Sequence, residues 1–449
     1  MVRIYVLYLQ LLLSDIIMGL LLGSGNTKPQ YPYDMWYGVE WDVTVSNPKP
    51  TRIGKMELHA SLPVQSLMRR CVLRDDGTVA YYLHANDSTK RDNSAESKLD
   101  GTDGQVMVEI PSCYVKFEAD GDKRRFLMST HELPGFHKWE RCFVSAYEAT
   151  IQRSTSKLSS VVNATADYRG GNNDASKDDK FTSQLGRPAS NFSTTNARTY
   201  ARNRGSANWN CNTYNVQKAL FWFFAVEYCN FNSQDTFNAS VDDNGYRQGG
   251  LGKGITDLGN WDKFGYYPPV PCGITNSLGN KSGYVEYVCA KSDDGSLAPQ
   301  TLQVISYRGV ENPFGHCWAI TDGAKCLIQS DADGGRSEFY VCNDKEKWNS
   351  NGVADYEFRG ILPRKDGYVK ELVLGEFGEI MPLNIGAGST TYFCDYFYTN
   401  IPGSGVSERV LLFGGGAHPG AYAGFVCADT TLDAATATSD VGSRLCFIP

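Results

Sequence analysis

The sequence predicts an α+β protein in which a small N-terminal β domain precedes a larger domain with long loops. Three observations carry this expectation. Asp75-Asp76-Gly77 separates the apolar runs Cys71-Val72-Leu73 and Val79 to Leu83, and Asp-Gly between apolar runs is a strong hairpin signal. Tyr214 to Tyr228 sets Val216, Ala219, Leu220, Phe223, Phe224 and Glu227 at helical spacing, the pattern of an aromatic helix packed on a sheet. The 449 residues include 45 Gly, 26 Tyr and 21 Phe against 8 Met, which suits short strands and tight turns better than long helices. That length also exceeds what one growing core accommodates, so more than one domain is expected.

Taken in order, residues 1–25 form a hydrophobic N-terminal segment. Ile4 to Leu13 follows Arg3, Ile16 to Leu22 follows Ser14-Asp15, and Gly23-Ser24-Gly25 supplies small residues near a possible cleavage point. The segment reads either as signal-like or as a start placed too early, with translation beginning at Met18. Asp15 opposes a spanning helix, because a central charge costs roughly 2.5 kcal/mol or more. Residues 26–125 form the expected small β domain: Trp36 to Val45 alternates in part, Val106 to Ile110 ends at Pro111, and Asn86 to Gly104 is polar enough for an exposed loop. Residues 126–449 form the second domain. Ser154 to Arg204 reads as loop, and after Asn230 long Gly-rich connections separate the strand-like pieces Tyr284 to Ala290, Gln303 to Tyr307 and Tyr368 to Leu374. Long connections of that kind inside a domain tend to carry function.

Charge and cysteine content narrow the chemistry. A net charge of −7 provides no basic footprint for nucleic acid. Mean hydropathy of −0.36 argues against a multi-span membrane protein. Thirteen cysteines without a C-x-x-C pair fit buried free thiols better than a zinc ribbon or a disulfide scaffold, and suit folding in a reducing compartment. His316-Cys317 with Cys326 is a poor metal-ligand set. Asp331 and Asp333 before Gly334-Gly335 lack the rest of a calcium loop. Gly249 to Gly254 lacks the hydroxyl that a phosphate-binding loop places after its lysine, and no G-x-S-x-G elbow occurs. Five N-x-[ST] sequons, at Asn86, Asn163, Asn191, Asn238 and Asn280, are expected by chance in a chain this rich in Asn and Ser. No enzyme, cofactor or metal site is expected.

Four blocks, in order, carry a family resemblance. They are Phe143-Val144-Ser145-Ala146-Tyr147-Glu148-Ala149-Thr150, the helix end Val226-Glu227-Tyr228 with Asn232-Ser233-Gln234, Tyr307 through Trp318, and Gly414-Gly415-Gly416 through Val441-Gly442-Ser443-Arg444-Leu445-Cys446-Phe447. Together they resemble the formylglycine-generating-enzyme branch of the C-type lectin fold over residues 126 to 449. Within that branch the chain is similar to phage tail or head-fibre proteins and to the variable proteins of diversity-generating retroelements. Gly104 through Tyr114 extends the likeness toward the N-terminus. The resemblance implies a C-type-lectin-like domain that binds ligands without covalent chemistry. Its partners would be a bacterial cell-surface protein or glycan and other virion proteins, and it would be displayed on a virion as a homo-trimer or other homo-oligomer. A bacterial surface adhesin is the alternative platform. The branch's oxidase binds copper through two cysteines; Cys427 and Cys446 are the nearest counterparts, but the surrounding motif is absent. Arg308, Glu311 and Asn312 in the third block suit a rigid turn with a buried Arg–Glu pair; Trp318 is expected in the core, and Arg444 belongs to the closing structural element.

The informative region is the C-terminal stretch 410–447. A Gly/Ala scaffold there alternates with Gly416, His418, Pro419, Tyr422, Cys427, Asp429, Thr431, Leu432, Asp433, Thr438 and Asp440. Under the resemblance, adenine-directed mutagenesis of Asn-codon-rich template generates such a set. The small residues would then hold the backbone while the others point to solvent as a binding face. A low-complexity Ala/Thr/Asp loop is the alternative reading.

Overall fold

A computed structural model describes residues 31–237, 250–251, 264–289, 298–391, 393–417 and 422–449. The N-terminal apolar segment, the sequon at Asn238, most of the Gly249 to Gly254 turn, and His418 and Pro419 lie outside the described residues. No helix among the described residues is long and apolar enough to cross a membrane.

The expectation of an α+β fold with a small N-terminal β domain is overturned. Strand accounts for 39% of the described residues and helix for 15%, and the boundary drawn at 125/126 falls inside the strand Lys123–Ser129. The reason lies in strand pairing. Gln105–Ile110 pairs with Cys142–Ser145, which pairs in turn with Leu445–Phe447 near the C-terminal end, so Phe143 sits opposite both Glu109 and Phe447. One long sheet therefore runs through both halves of the sequence. From one edge its order is Glu379–Ile385, Gly367–Leu374, Tyr396–Thr399, Gly424–Thr430, Val406–Gly414, Trp318–Gln329, Trp209–Thr213 and Leu445–Phe447. It continues through Cys142–Ser145, Gln105–Ile110, Arg69–Leu73 and Val79–His84 to Asp87–Arg91.

A second sheet of five strands, ordered Thr51–Gly54, Tyr37–Asp42, Lys123–Ser129, Cys113–Asp120 and His137–Trp139, packs across the first. Between the two lies the helix Tyr214–Tyr228, with the bounds the sequence predicts and with Thr213 accepting from the amide of Val216 at its N-terminus. The helix is buried on every side rather than along one stripe. Trp222 meets Trp41 and Phe126 of the five-stranded sheet, while Tyr214 and Phe224 meet Phe413 and Phe425 of the long one.

The hairpin predicted at Asp76-Gly77 is present, with Cys71 opposite Tyr82. Gly77 has φ of +83°, and a Cβ there would lie 2.3 Å from the Phe447 ring, so the turn requires glycine twice over. Two segments read as loop are structured. Asp87–Arg91 adds an edge strand, and Thr194–Arg202 is a polar helix capped by Ser193, its Arg198 bound to buried Asp322 at 2.5 Å. All thirteen cysteines are free, eleven buried and two half-buried.

Candidate functional site

The C-terminal stretch begins with the strands Val406–Gly414 and Gly424–Thr430, paired antiparallel with Leu412 opposite Asp429. The register shifts between Phe413 and Gly414. Close approach dictates the small residues here. A Cβ on Gly424 would sit 1.4 Å from Asp395 Oδ1, and one on Gly415, at φ +80°, would sit 3.0 Å from Ala423. Gly416 forms a parallel bridge with His316. The Gly/Ala frame is a packing requirement.

Beside Gly424–Thr430, and parallel to it, runs Tyr396–Thr399 with Tyr398 opposite Asp429. Alternation in this short strand buries Phe397 and leaves Tyr396 and Tyr398 half-buried on the other face. Tyr398 meets Trp318 edge-on at 5.8 Å. Tyr422 packs on Tyr396 at 4.8 Å and on Tyr368 at 5.5 Å. Trp318, Tyr398 and Tyr422 border a cleft of about 140 Å³ together with Asp429, with Gly416 and Cys427 also in its wall. Asp429 Oδ1 accepts from the Thr431 amide at 2.6 Å and from its hydroxyl at 2.7 Å. Burial pushes the Asp429 carboxyl up to about 6, and the carboxylates of Asp440 and Asp366 push the same way. None of the three has an ion-pair partner among the described residues.

The structure therefore separates the sequence-predicted residues. Gly416, Tyr422, Cys427 and Asp429 come together in the cleft, Thr431 braces Asp429, and Asp440 adds charge nearby. The others do not join them. Leu432 packs on the core, and Asp433 caps a local turn through the Ala435 and Thr436 amides. The carbonyl of Thr438 accepts from the Asn191 amide. The outward display expected of the whole set is corrected accordingly: Gly416 and Cys427 are buried, the rest are half-buried, and Asp433 alone of those described is exposed. Trp318, expected in the core, is half-buried at the cleft. Sequence reasoning missed Tyr368, Tyr396, Tyr398 and Asp366. The available signal was the Tyr-Phe-Tyr alternation at 396–398, whose two tyrosines share one face.

The remaining structural residues form a buried polar knot. Arg308 pairs with Glu227 at 2.6 Å and not with Glu311, because its φ of +49° turns the chain away. Glu311 instead accepts from the amides of Gly273 at 2.8 Å and Thr275 at 2.6 Å. Arg444 donates to the carbonyls of Glu311, at 2.5 Å, and Asn312. Arg70, which sequence reasoning did not single out, donates to Gly309, Ser88, Asn276 and Thr275 from a fully buried position.

Other candidate chemistry is accounted for structurally. Glu148, His316 and Cys317 cluster in the core. His316 Nδ1 meets Glu148 there, and its Nε2 accepts from the Val270 amide at 3.3 Å, so both ring nitrogens are occupied. Asp331 pairs with Arg364, and Asp333 accepts from Ser330 and Gly405. Cys427 and Cys446 lie four strand steps apart, on the order of 19 Å along the sheet, which opposes a shared metal. A wider groove of about 640 Å³ beside the Asp76-Gly77 hairpin holds Arg91, Lys157 and Arg204, whose charges are taken up by Asp103 and Asp75. The sequence matches no family model and no curated protein.

Proposed function

We propose that this chain is a non-enzymatic receptor-binding protein, a phage structural or fibre protein that engages a ligand on the bacterial surface through the aromatic cleft. The observation that carries this reading is the convergence of Trp318, Tyr422, Cys427 and Asp429, four residues singled out in the sequence, on one concave site with Tyr398. Half-exposed aromatic rings on a rigid frame supply contact area at little cost in conformational entropy, which is what a recognition surface needs. The four ordered blocks that resemble the C-type lectin branch support the same reading. Display in several copies on a particle would add avidity to a small individual site.

The test is adsorption of the purified protein to host cells. Tyr422→Ala is expected to lower adsorption at least tenfold with thermal unfolding unchanged, whereas Asp433→Ala, away from the cleft, leaves it intact. Equal adsorption by wild type and Tyr422→Ala would refute the reading.

A further inference from the structure

Resting on that reading, we propose that the cleft between Trp318, Tyr398 and Tyr422 takes an organic ammonium group carried by the surface ligand. Three features favour a cation. Aromatic rings border the cleft, and ring faces attract cations, most strongly when the site is desolvated. Asp429 lies in the lining with its carboxylate fixed by Thr431, and Asp366 and Asp440 add negative potential that no ion pair cancels among the described residues. No Lys, Arg or His is among the described residues that line it.

Size and ligand type exclude the nearest competitors. About 140 Å³ equals four to five water volumes at roughly 30 Å³ each, which matches a trimethylammonium or aminomethyl group. A whole pyranose, with about a dozen non-hydrogen atoms, is larger than this space, so only an edge of one would enter. A hard metal ion would need several oxygen ligands, and Asp429 is the one carboxylate in the described lining.

The experiment is calorimetric titration of the full chain with choline, n-butylammonium, 3,3-dimethylbutan-1-ol (the shape of choline without its charge) and methyl α-glucoside. Choline or n-butylammonium should bind at least tenfold more tightly than the neutral alcohol. The tighter of the two tells a methylated headgroup from a lysine-type amine. Asp429→Asn should weaken binding at least tenfold while unfolding no earlier than wild type, and Tyr422→Phe should retain binding with unchanged thermal unfolding. Binding of neither ammonium more tightly than the neutral alcohol, or binding of the glucoside alone, overturns the proposal. So does an absence of binding by either ammonium while adsorption to cells stays dependent on Tyr422, a result that leaves the receptor-binding reading in place. Failure of both experiments removes both.

Discussion

Arg70 and Thr275 stand 205 residues apart in the chain, yet the Arg70 guanidinium donates to the Thr275 hydroxyl at 2.9 Å. Thr275 in turn donates to Glu311, so a strand near the N-terminus, a loop and the Tyr307 to Trp318 turn share one buried network. Removing the cation leaves several oxygens unpaired and Glu311 without the Arg70 charge that favours its carboxylate. Arg70→Met is therefore expected to cost about 3–5 kcal/mol, the range for breaking a buried charged network. Because the long sheet and the network join the two halves, unfolding in urea should show one transition in wild type and variant alike. A separate early transition confined to residues 26–125 would contradict the shared core.

The frame under the cleft makes a second, steric prediction. Gly424→Ala puts a methyl group 1.4 Å from the Asp395 carboxyl oxygen and should destabilise the fold by more than about 3 kcal/mol. Gly403→Ala, with nothing within 4 Å, should be neutral or stabilise by about 0.4–1 kcal/mol. Paired denaturation curves for the two variants check both values.

The acidic floor of the cleft sets a pH dependence. Asp429 has a carboxyl raised to about 6 by burial and by Asp440 and Asp366. The folded state thus holds this proton more tightly than the unfolded chain, and stability falls as pH rises from about 4 through about 6 before levelling. Asp395, fully buried, acts in the same direction. Asp429→Asn should be more stable than wild type above pH 6, by up to about 3 kcal/mol, with the difference vanishing below pH 4. Thermal unfolding measured from pH 4 to pH 8 decides the point; a gap that widens on acidification would have the wrong sign.

Thiol accessibility gives a fourth check. Burial pushes the Cys142 thiol up to about 12 and raises Cys229, the two cysteines that are not fully buried, so neither offers thiolate at neutral pH. A chromogenic disulfide reagent at pH 8 should find no fast-reacting thiol in the native protein and thirteen after unfolding. Rapid modification of one native cysteine would point to a site that opens.

What was legible in the sequence was local. The Asp76-Gly77 hairpin and the helix Tyr214–Tyr228 depend on neighbours within a few residues, and both match the structure. The sheet was not legible, because its pairings join residues hundreds apart: nothing near Phe143 announces that Phe447 will lie beside it. Arg308 and Glu311 looked like a pair by proximity, but the left-handed turn at Arg308 delivers its guanidinium to Glu227 instead. In the cleft, the Gly/Ala frame was visible by composition. The wall residue Tyr398, with Tyr396 packed behind it, arrives through a parallel strand from about thirty residues upstream, which no local pattern specifies.

Leu445–Phe447 sits in the interior of the long sheet, between Trp209–Thr213 and Cys142–Ser145, with the Phe447 ring seated over Gly77. The middle of that sheet thus stays open until these residues have left the ribosome, however early the flanking strands are made. Closure of the sheet at its centre is consequently a late step, and deleting Leu445–Phe447 should leave the facing edges of Trp209–Thr213 and Cys142–Ser145 unpaired and send the chain to proteolysis.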